Sequence, residues 1–241
     1  MSNGHGLSLI YPVLNEADIL EENLHKTIAF LKSKEIPFEI IVVNNGSSDQ
    51  TESILKTLSA KYEDLIVINL SIRGLGLAIK AGINSARYNI CMFYAIDLPF
   101  GFEVITNSLS TFAVGGVDIV IGSKGHVRTQ NNAPLKRKVS SYIYNHLLCY
   151  ILGIKIKDTQ GSLLFNKNKI LNYLSYCTSN DAFFCTQVIL YGNLSGLLIK
   201  EIPVNYKVAR VNSKIKIIKV GGSMFRQLIV EKNRMKNFRV L

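Results

Sequence analysis

The chain has 241 residues, 48% of them apolar, with a formal net charge of +11; it is long enough to bury a full core and is most economically one domain. Its four scattered cysteines, Cys91, Cys149, Cys177 and Cys185, form no C-x-x-C pair, which argues against a disulfide framework or a zinc site and for free thiols in a reducing compartment. No run reaches the roughly 18 uninterrupted apolar residues of a membrane-spanning helix, and the N-terminus shows neither the basic nor the apolar region of a signal peptide.

In chain order, short apolar runs alternate with amphipathic stretches. Residues 7–11 read as a strand, and 16–31 as a helix with Ile19, Leu20, Leu24, Ile28 and Leu31 on one face. Strand 39–43, helix 51–62, strand 65–70, helix 77–86 and strand 90–94 follow. This order predicts an α/β fold, a mostly parallel central sheet with helices on both faces. Ligands of such sheets bind at the carboxyl ends of the strands, where Pro12, Asn44 and Asp97 fall. Further on, 139–152 reads as a helix with Tyr142, Ile143, Leu147, Tyr150 and Ile151 on one face, either an interfacial element or a core helix. Residues 183–199 read as helix, turn and strand, because Gln187, Gly192, Asn193 and Gly196 break the apolar run.

The positive charge is unevenly placed. Residues 214–241 hold eight basic residues and one acid, Glu231, and residues 124–138 hold five basic residues and no acid. The expectation is a polyanionic partner. Nucleic acid is not favoured, since no helix-turn-helix, RNP-like or zinc-finger pattern appears. The segment 216–241 mixes Met224, Phe225, Leu228, Ile229, Met235 and Phe238 with its cations, which suits an anionic membrane surface; a plain helix packed on the domain is the rival.

Several motifs carry a resemblance. Ile10-Tyr-Pro-Val-Leu-Asn-Glu16 and Val43-Asn-Asn-Gly-Ser-Ser-Asp49 resemble the "IPxYNE" and "VDDGSxD" of family 2 glycosyltransferases with the A-type, Rossmann-like fold. Gly74-Leu-Gly-Leu-Ala78 with Ala81-Gly-Ile83 is similar to a helix of dolichyl-phosphate mannose synthases. Ile121-Gly-Ser-Lys-Gly-His126, Asp158-Thr-Gln-Gly161, Glu201-Ile-Pro-Val204 and Arg210-Val-Asn-Ser-Lys214 resemble motifs of the dolichyl-phosphate glucosyltransferase branch, in order from about residue 7 to 216.

The resemblance implies an inverting transfer of a hexose from a nucleotide sugar, UDP- or GDP-linked, to a polyprenyl (dolichyl) phosphate or related acceptor. It places base and ribose near Pro12, Leu14, Glu16, Asn44 and Asn45, and a metal near Ala95, Ile96 and Asp97. Ala95 stands where the family carries the first Asp of an Asp-x-Asp pair, and Pro99 where mannose synthases often carry Gln. A lone carboxylate holds a hydrated hard cation poorly, so Asp97 is a weak metal candidate and dependence on Mg²⁺ or Mn²⁺ is expected to be weak or absent. Lys124, Arg210 and Lys214 are the cations expected to meet the diphosphate. In the helix where relatives carry Asp-x-Glu, Cys185 and Gln187 stand instead.

Asp97, Asp158 and Gln160 are the expected catalytic residues, the last two on the acceptor side, with a side-chain-stabilised turn as the alternative for 158–160. Arg128, Lys136 and Arg137, in a basic loop with Lys124 and His126, are the expected acceptor-phosphate cradle. The expected organisation is a glycosyltransferase domain over 1–215 and a basic amphipathic segment over 216–241, working at the cytoplasmic face of a membrane by surface attachment or through a membrane partner. The alternative is a catalytically degenerate relative that binds nucleotide or lipid phosphate, or serves as a partner subunit.

Overall fold

The computed structural model describes residues 6–207 and 217–238. The first half alternates strand and helix: β1 (Leu7–Val13), α1 (Ala17–Lys32), β2 (Phe38–Asn44), α2 (Thr51–Lys61), β3 (Leu65–Asn69), α3 (Leu75–Ser85) and β4 (Ile90–Phe93). Then come α4 (Glu103–Ala113), β5 (Ile119–Ser123), β6 (Gln130–Asn131), α5 (Leu135–Leu152), β7 (Ser162–Asn166), α6 (Lys167–Leu171), α7 (Phe183–Leu194), β8 (Ile199–Pro203), β9 (Asn205–Tyr206) and α8 (Ile217–Arg234).

Seven strands form one sheet in the order β3-β2-β1-β4-β7-β5-β8. All neighbours pair in parallel except β7, which runs antiparallel to both β4 and β5. The predicted mostly parallel sheet is therefore present. The inserted antiparallel strand is a feature that apolar patterning does not announce, because its partners are far away in sequence.

Period-2 alternation decides which side chain meets which helix layer. Leu7, Leu9, Tyr11 and Val13 of β1 and Ile40 and Val42 of β2 pack with Leu20, Leu24 and Leu31 of α1 and Leu55 of α2. Ile10, Ile41 and Val43 point the other way, toward Ala78, Ile79 and Ile83 of α3 and the buried residues of α5 and α7. Both faces are covered, as continuous apolar strands require. At Gly82 a Cβ would stand 2.4 Å from Ile10 Cγ2, so glycine there lets α3 lie directly on β1.

α5 begins at Leu135, directly after Pro134. Proline suits the start of a helix, where no intrahelical N–H partner is needed. Lys136 and Arg137 thus belong to the first helical turn and not to a loop. α8 packs on the domain: Leu228 and Glu231 are buried, and Phe238 beyond it meets the rings of Tyr176 and Tyr191. No described helix is long and apolar enough to cross a membrane.

Candidate functional site

The strand order reverses at β1: β2 and β3 lie to one side, and β4 begins the other. Pairing of β1 with β4 stops at Ile10 and Phe93, whereas pairing with β2 runs on to Val13 and Asn44. The two strands part there, at the place where an open α/β sheet has the crevice that takes its ligand. Pro12 lies where β4 has already diverged, and its missing N–H breaks no ladder bond.

The loops after β1 and β2 hold each other. Asn15 accepts from the Ser48 amide at 2.7 Å, and its own amide donates to Ser47 Oγ at 3.0 Å. Asp49 accepts from the amides of Ala17 and Thr51 at 3.2 and 3.0 Å, so one carboxylate caps the first turns of α1 and α2 together. Burial works against its charge, but the bonds from Thr51 and Ala17 hold its pKa below the usual range. The Gly-Ser-Ser-Asp portion of the motif thus builds the scaffold.

Asn44 and Asn45 are 2% and 6% exposed. Asn44 donates to Asn69 Oδ1 at 2.9 Å and accepts from the Ser47 amide at 3.2 Å. Asn45 Oδ1 accepts from the Gly74 amide at 2.7 Å, tying the β2 loop to the start of α3. Leu14 is exposed and Glu16 half-buried beside them. The Glu16 amide donates to Thr51 Oγ1 at 3.0 Å.

After β4 the chain makes a tight turn. Leu98 has φ +49 and its amide donates to Ala95 O at 3.1 Å. A left-handed leucine costs about 1–2 kcal/mol, and the surroundings hold it. Asn23 donates to Ile96 O at 2.9 Å, and Tyr94 OH both accepts from the Phe100 amide and donates to Gly101 O, each at 2.9 Å. Asp97 sits half-buried on this turn.

Lys124, from the loop after β5, joins the remaining parts. Its ammonium is 3.3 Å from Asp158 Oδ2, donates to Gln160 O at 3.0 Å, and lies over the rings of Phe100 and Tyr206 at 5.7 and 5.9 Å. Asp158, 5% exposed, also accepts from the amides of Lys124 and Gln160, each at 2.9 Å. Its two oxygens therefore hold the loop and the lysine. Gln160 donates to Ala182 O at 3.0 Å and Thr186 Oγ1 at 3.3 Å, at the start of α7. The side-chain-stabilised turn describes residues 158–160 well. At Gly161 a Cβ would fall 2.0 Å from Gly122 O, so the two loops touch backbone to backbone.

The structure brings Asp158, Gln160 and Lys124 into one bonded cluster, which touches the Asp97 turn through Phe100. Arg128 is exposed on the loop beyond. Arg210 and Lys214 lie outside the described residues.

On α7, Cys185 and Gln187 are buried. Burial pushes the Cys185 thiol up to about 12, with Lys124 lowering it and Asp158 raising it. Gln187 accepts from the Ser179 amide at 2.8 Å and donates to Glu231 at 2.7 Å. Tyr191 OH donates to the other Glu231 oxygen at 2.5 Å. Sequence reasoning missed the roles of Glu231, Phe100 and Tyr206; the signal for Glu231 was its being the single acid among eight cations.

For a divalent cation the donor set is poor. Among the described residues no three His, Cys, Asp or Glu side chains converge. Ala95 contributes only a methyl group, and residues 208–216 contain no acid. One carboxylate does not fit a resident metal.

A model of the family "Glycosyl transferase family 2" matches residues 8–174. A dolichyl-phosphate beta-glucosyltransferase of Trichomonas vaginalis is 28% identical over 225 residues, covering 88% of this chain and 68% of that protein. An undecaprenyl-phosphate 4-deoxy-4-formamido-L-arabinose transferase of Edwardsiella ictaluri is 27% identical over 202 residues, 83% of this chain and 59% of the relative. The glycosyltransferase AglD of Haloferax volcanii is 25% identical over 85% of this chain but only 33% of its own length. The chain thus spans from one third to about two thirds of these relatives. Glucosyl-3-phosphoglycerate synthase of Mycobacterium tuberculosis, solved with Mn²⁺, UDP and glucosyl-3-phosphoglycerate, superposes with a TM-score of 0.66 at 17% identity, over 93% of this chain and 77% of that one. Sheet order, crevice, motif order and family match agree: the chain belongs to glycosyl transferase family 2.

Proposed function

We propose that the chain transfers a hexose from a nucleotide sugar, UDP- or GDP-linked, to a polyprenyl phosphate. The observation that carries this reading is the parting of β1 from β4 at the switch point of the sheet, together with a half-buried lysine held by Asp158 beside the ring of Phe100 from the turn after β4, in a chain whose relatives are named as transferases acting on dolichyl and undecaprenyl phosphate. Pro12, Leu14, Glu16, Asn44 and Asn45 line the base and ribose side, and Asp97 and Lys124 the diphosphate side. Arg210 and Lys214 are further donor candidates.

The acceptor phosphate oxygen attacks the anomeric carbon as the bond from that carbon to the diphosphate oxygen breaks, with inversion, and the nucleoside diphosphate leaves with the electron pair. A phosphate monoester, with a second pKa of about 6, is already largely dianionic at neutral pH and needs no protein base. That agrees with Asp158 being fully used in holding Lys124. Arg128, with Lys136 and Arg137 from the first turn of α5, forms the acceptor-phosphate cradle.

The lipid is met at a surface. Leu135, Val139, Tyr142, Ile143 and Tyr150 of α5 and Phe225, Ile229 and Val230 of α8 are exposed, with the exposed cations Lys138, Arg226 and Lys232 alongside. Apolar side chains among cations suit an anionic membrane face.

The test is transfer of labelled glucose or mannose from UDP-glucose or GDP-mannose to a polyprenyl phosphate in anionic vesicles. Labelled lipid is the expected product, and Tyr142→Asp with Ile143→Asp lowers vesicle binding about tenfold or more. Donor binding without transfer to any polyprenyl phosphate would refute the reading and favour the catalytically silent alternative.

A further inference from the structure

We infer that this chain holds the donor diphosphate with a fixed side-chain cation, Lys124, in place of a resident divalent metal; the inference rests on the donor site of the proposed function. Three observations converge. The turn after β4 offers one carboxylate, because Ala95 supplies no side-chain oxygen, and no other acid or histidine among the described residues completes a ligand set. The backbone carbonyl of Ile96 is already taken by Asn23. The Lys124 ammonium is fixed on three sides: by Asp158, by Gln160 O, and by the faces of Phe100 and Tyr206.

Aromatic faces attract an ammonium through their quadrupole without cancelling its charge. Pinning by rings and a main-chain carbonyl, with Asp158 as the ion-pair partner, therefore leaves a preorganised ammonium. The side chain keeps 25% of its surface open.

The wider charge pattern agrees. Asn44, Asn45, Ala95, Cys185 and Gln187 are all uncharged, and at Ala95, on the turn that carries Asp97, a carboxylate would face the doubly negative diphosphate. A metal is needed in part to offset such acids. With the acids absent, a fixed monovalent cation is sufficient to hold the leaving group, and charge-assisted bonds to it are the strong kind.

The experiment is calorimetric titration of the full chain with UDP-glucose and GDP-mannose, once with EDTA and once with excess Mn²⁺. The inference expects one donor to bind with affinities within about threefold under the two conditions, Lys124→Met to weaken that binding about 10- to 100-fold, and Ala95→Asp to make it tighten about tenfold or more with Mn²⁺. Electron paramagnetic resonance gives a second readout. Mn²⁺ stays free in the presence of wild-type protein and donor, and becomes immobilised with the Ala95→Asp variant.

Wild-type binding that disappears in EDTA and returns with Mn²⁺ would overturn the inference and leave the proposed transferase standing. Unchanged affinity in a folded Lys124→Met variant would also overturn it. Absence of donor binding under both conditions would overturn the inference and the donor-site reading together. If Lys124→Met fails to fold, the comparison of EDTA with Mn²⁺ in the wild type and in Ala95→Asp still decides.

Discussion

Asp158→Asn replaces one carboxylate oxygen by an amide of nearly the same shape, so its effect isolates hydrogen-bond polarity. Asp158 accepts three bonds: from the Gln160 amide at 2.9 Å, the Lys124 amide at 2.9 Å, and the Lys124 ammonium at 3.3 Å. Every partner is a donor. Whichever way the new side chain turns, its NH₂ faces an N–H. In one orientation the Lys124 amide loses its acceptor and the Lys124 ammonium keeps Gln160 O but loses Asp158; in the other, the Gln160 amide loses its acceptor, and the charge is gone in both. An unpaired buried donor costs about 1–3 kcal/mol, and a lost charge-assisted bond is of similar size. The sum is about 2–6 kcal/mol, or a fall in Tm of roughly 5–20 °C for a domain of this size. Cys185, buried beside this cluster, reports the same event chemically. In the native protein Cys149 is the exposed thiol, and the variant should add slow labelling at Cys185. Thermal unfolding and mass-resolved thiol alkylation make the measurement. A Tm within about 1 °C of wild type, with labelling still confined to Cys149, would refute the role assigned to Asp158 in holding the loop.

Glu231→Ala leaves the buried donors Tyr191 OH and Gln187 Nε2 without an acceptor, a cost of about 2–5 kcal/mol; faster hydrogen exchange over residues 225–238 is the expected signature, with Glu231→Gln milder because one acceptor survives. Asp181 is raised by burial but lowered more by bonds from Ser179, Gln227 and the Phe183 amide, and its pKa falls below the ordinary 3.8. The unfolded chain then binds the proton more readily, so the stabilisation is present above about pH 4 and lost as pH falls through the folded value. Urea midpoints taken down the acid limb should show a shallower pH dependence for Asp181→Asn; an unchanged slope would count against the bonded carboxylate.

The first half of the fold is legible in the chain because its signals are local. Leu20, Leu24, Ile28 and Leu31 repeat at helical spacing and bury one face of α1, and the apolar run of β2 is buried throughout because helices cover both sides. The placement of Asn44, Asn45 and Asp97 at strand ends follows from the same alternation, and so does the break of 183–199 into α7 and β8. The second half is less legible. The start of α5 at Leu135 was displaced from 139 because Lys136 and Arg137 read as loop charge until Pro134 is seen opening a helix. The antiparallel seat of β7 between β4 and β5 depends on partners 40 or more residues earlier in the chain.

The sequence by itself determined the family, the alternating core and the loss of acids at the crevice, since each depends on which residues stand next to one another in the chain. The tertiary structure decided how those residues are committed. Asp158 looks catalytic in a motif, yet its carboxylate is used by Lys124, 34 residues away. Gln187 looks like a lost acid, yet a carboxylate returns to it from Glu231, 44 residues away. A side chain's role in a cleft depends on which donors and acceptors the fold brings within about 3 Å of it, and that proximity arises only when the strands have paired and the helices have packed.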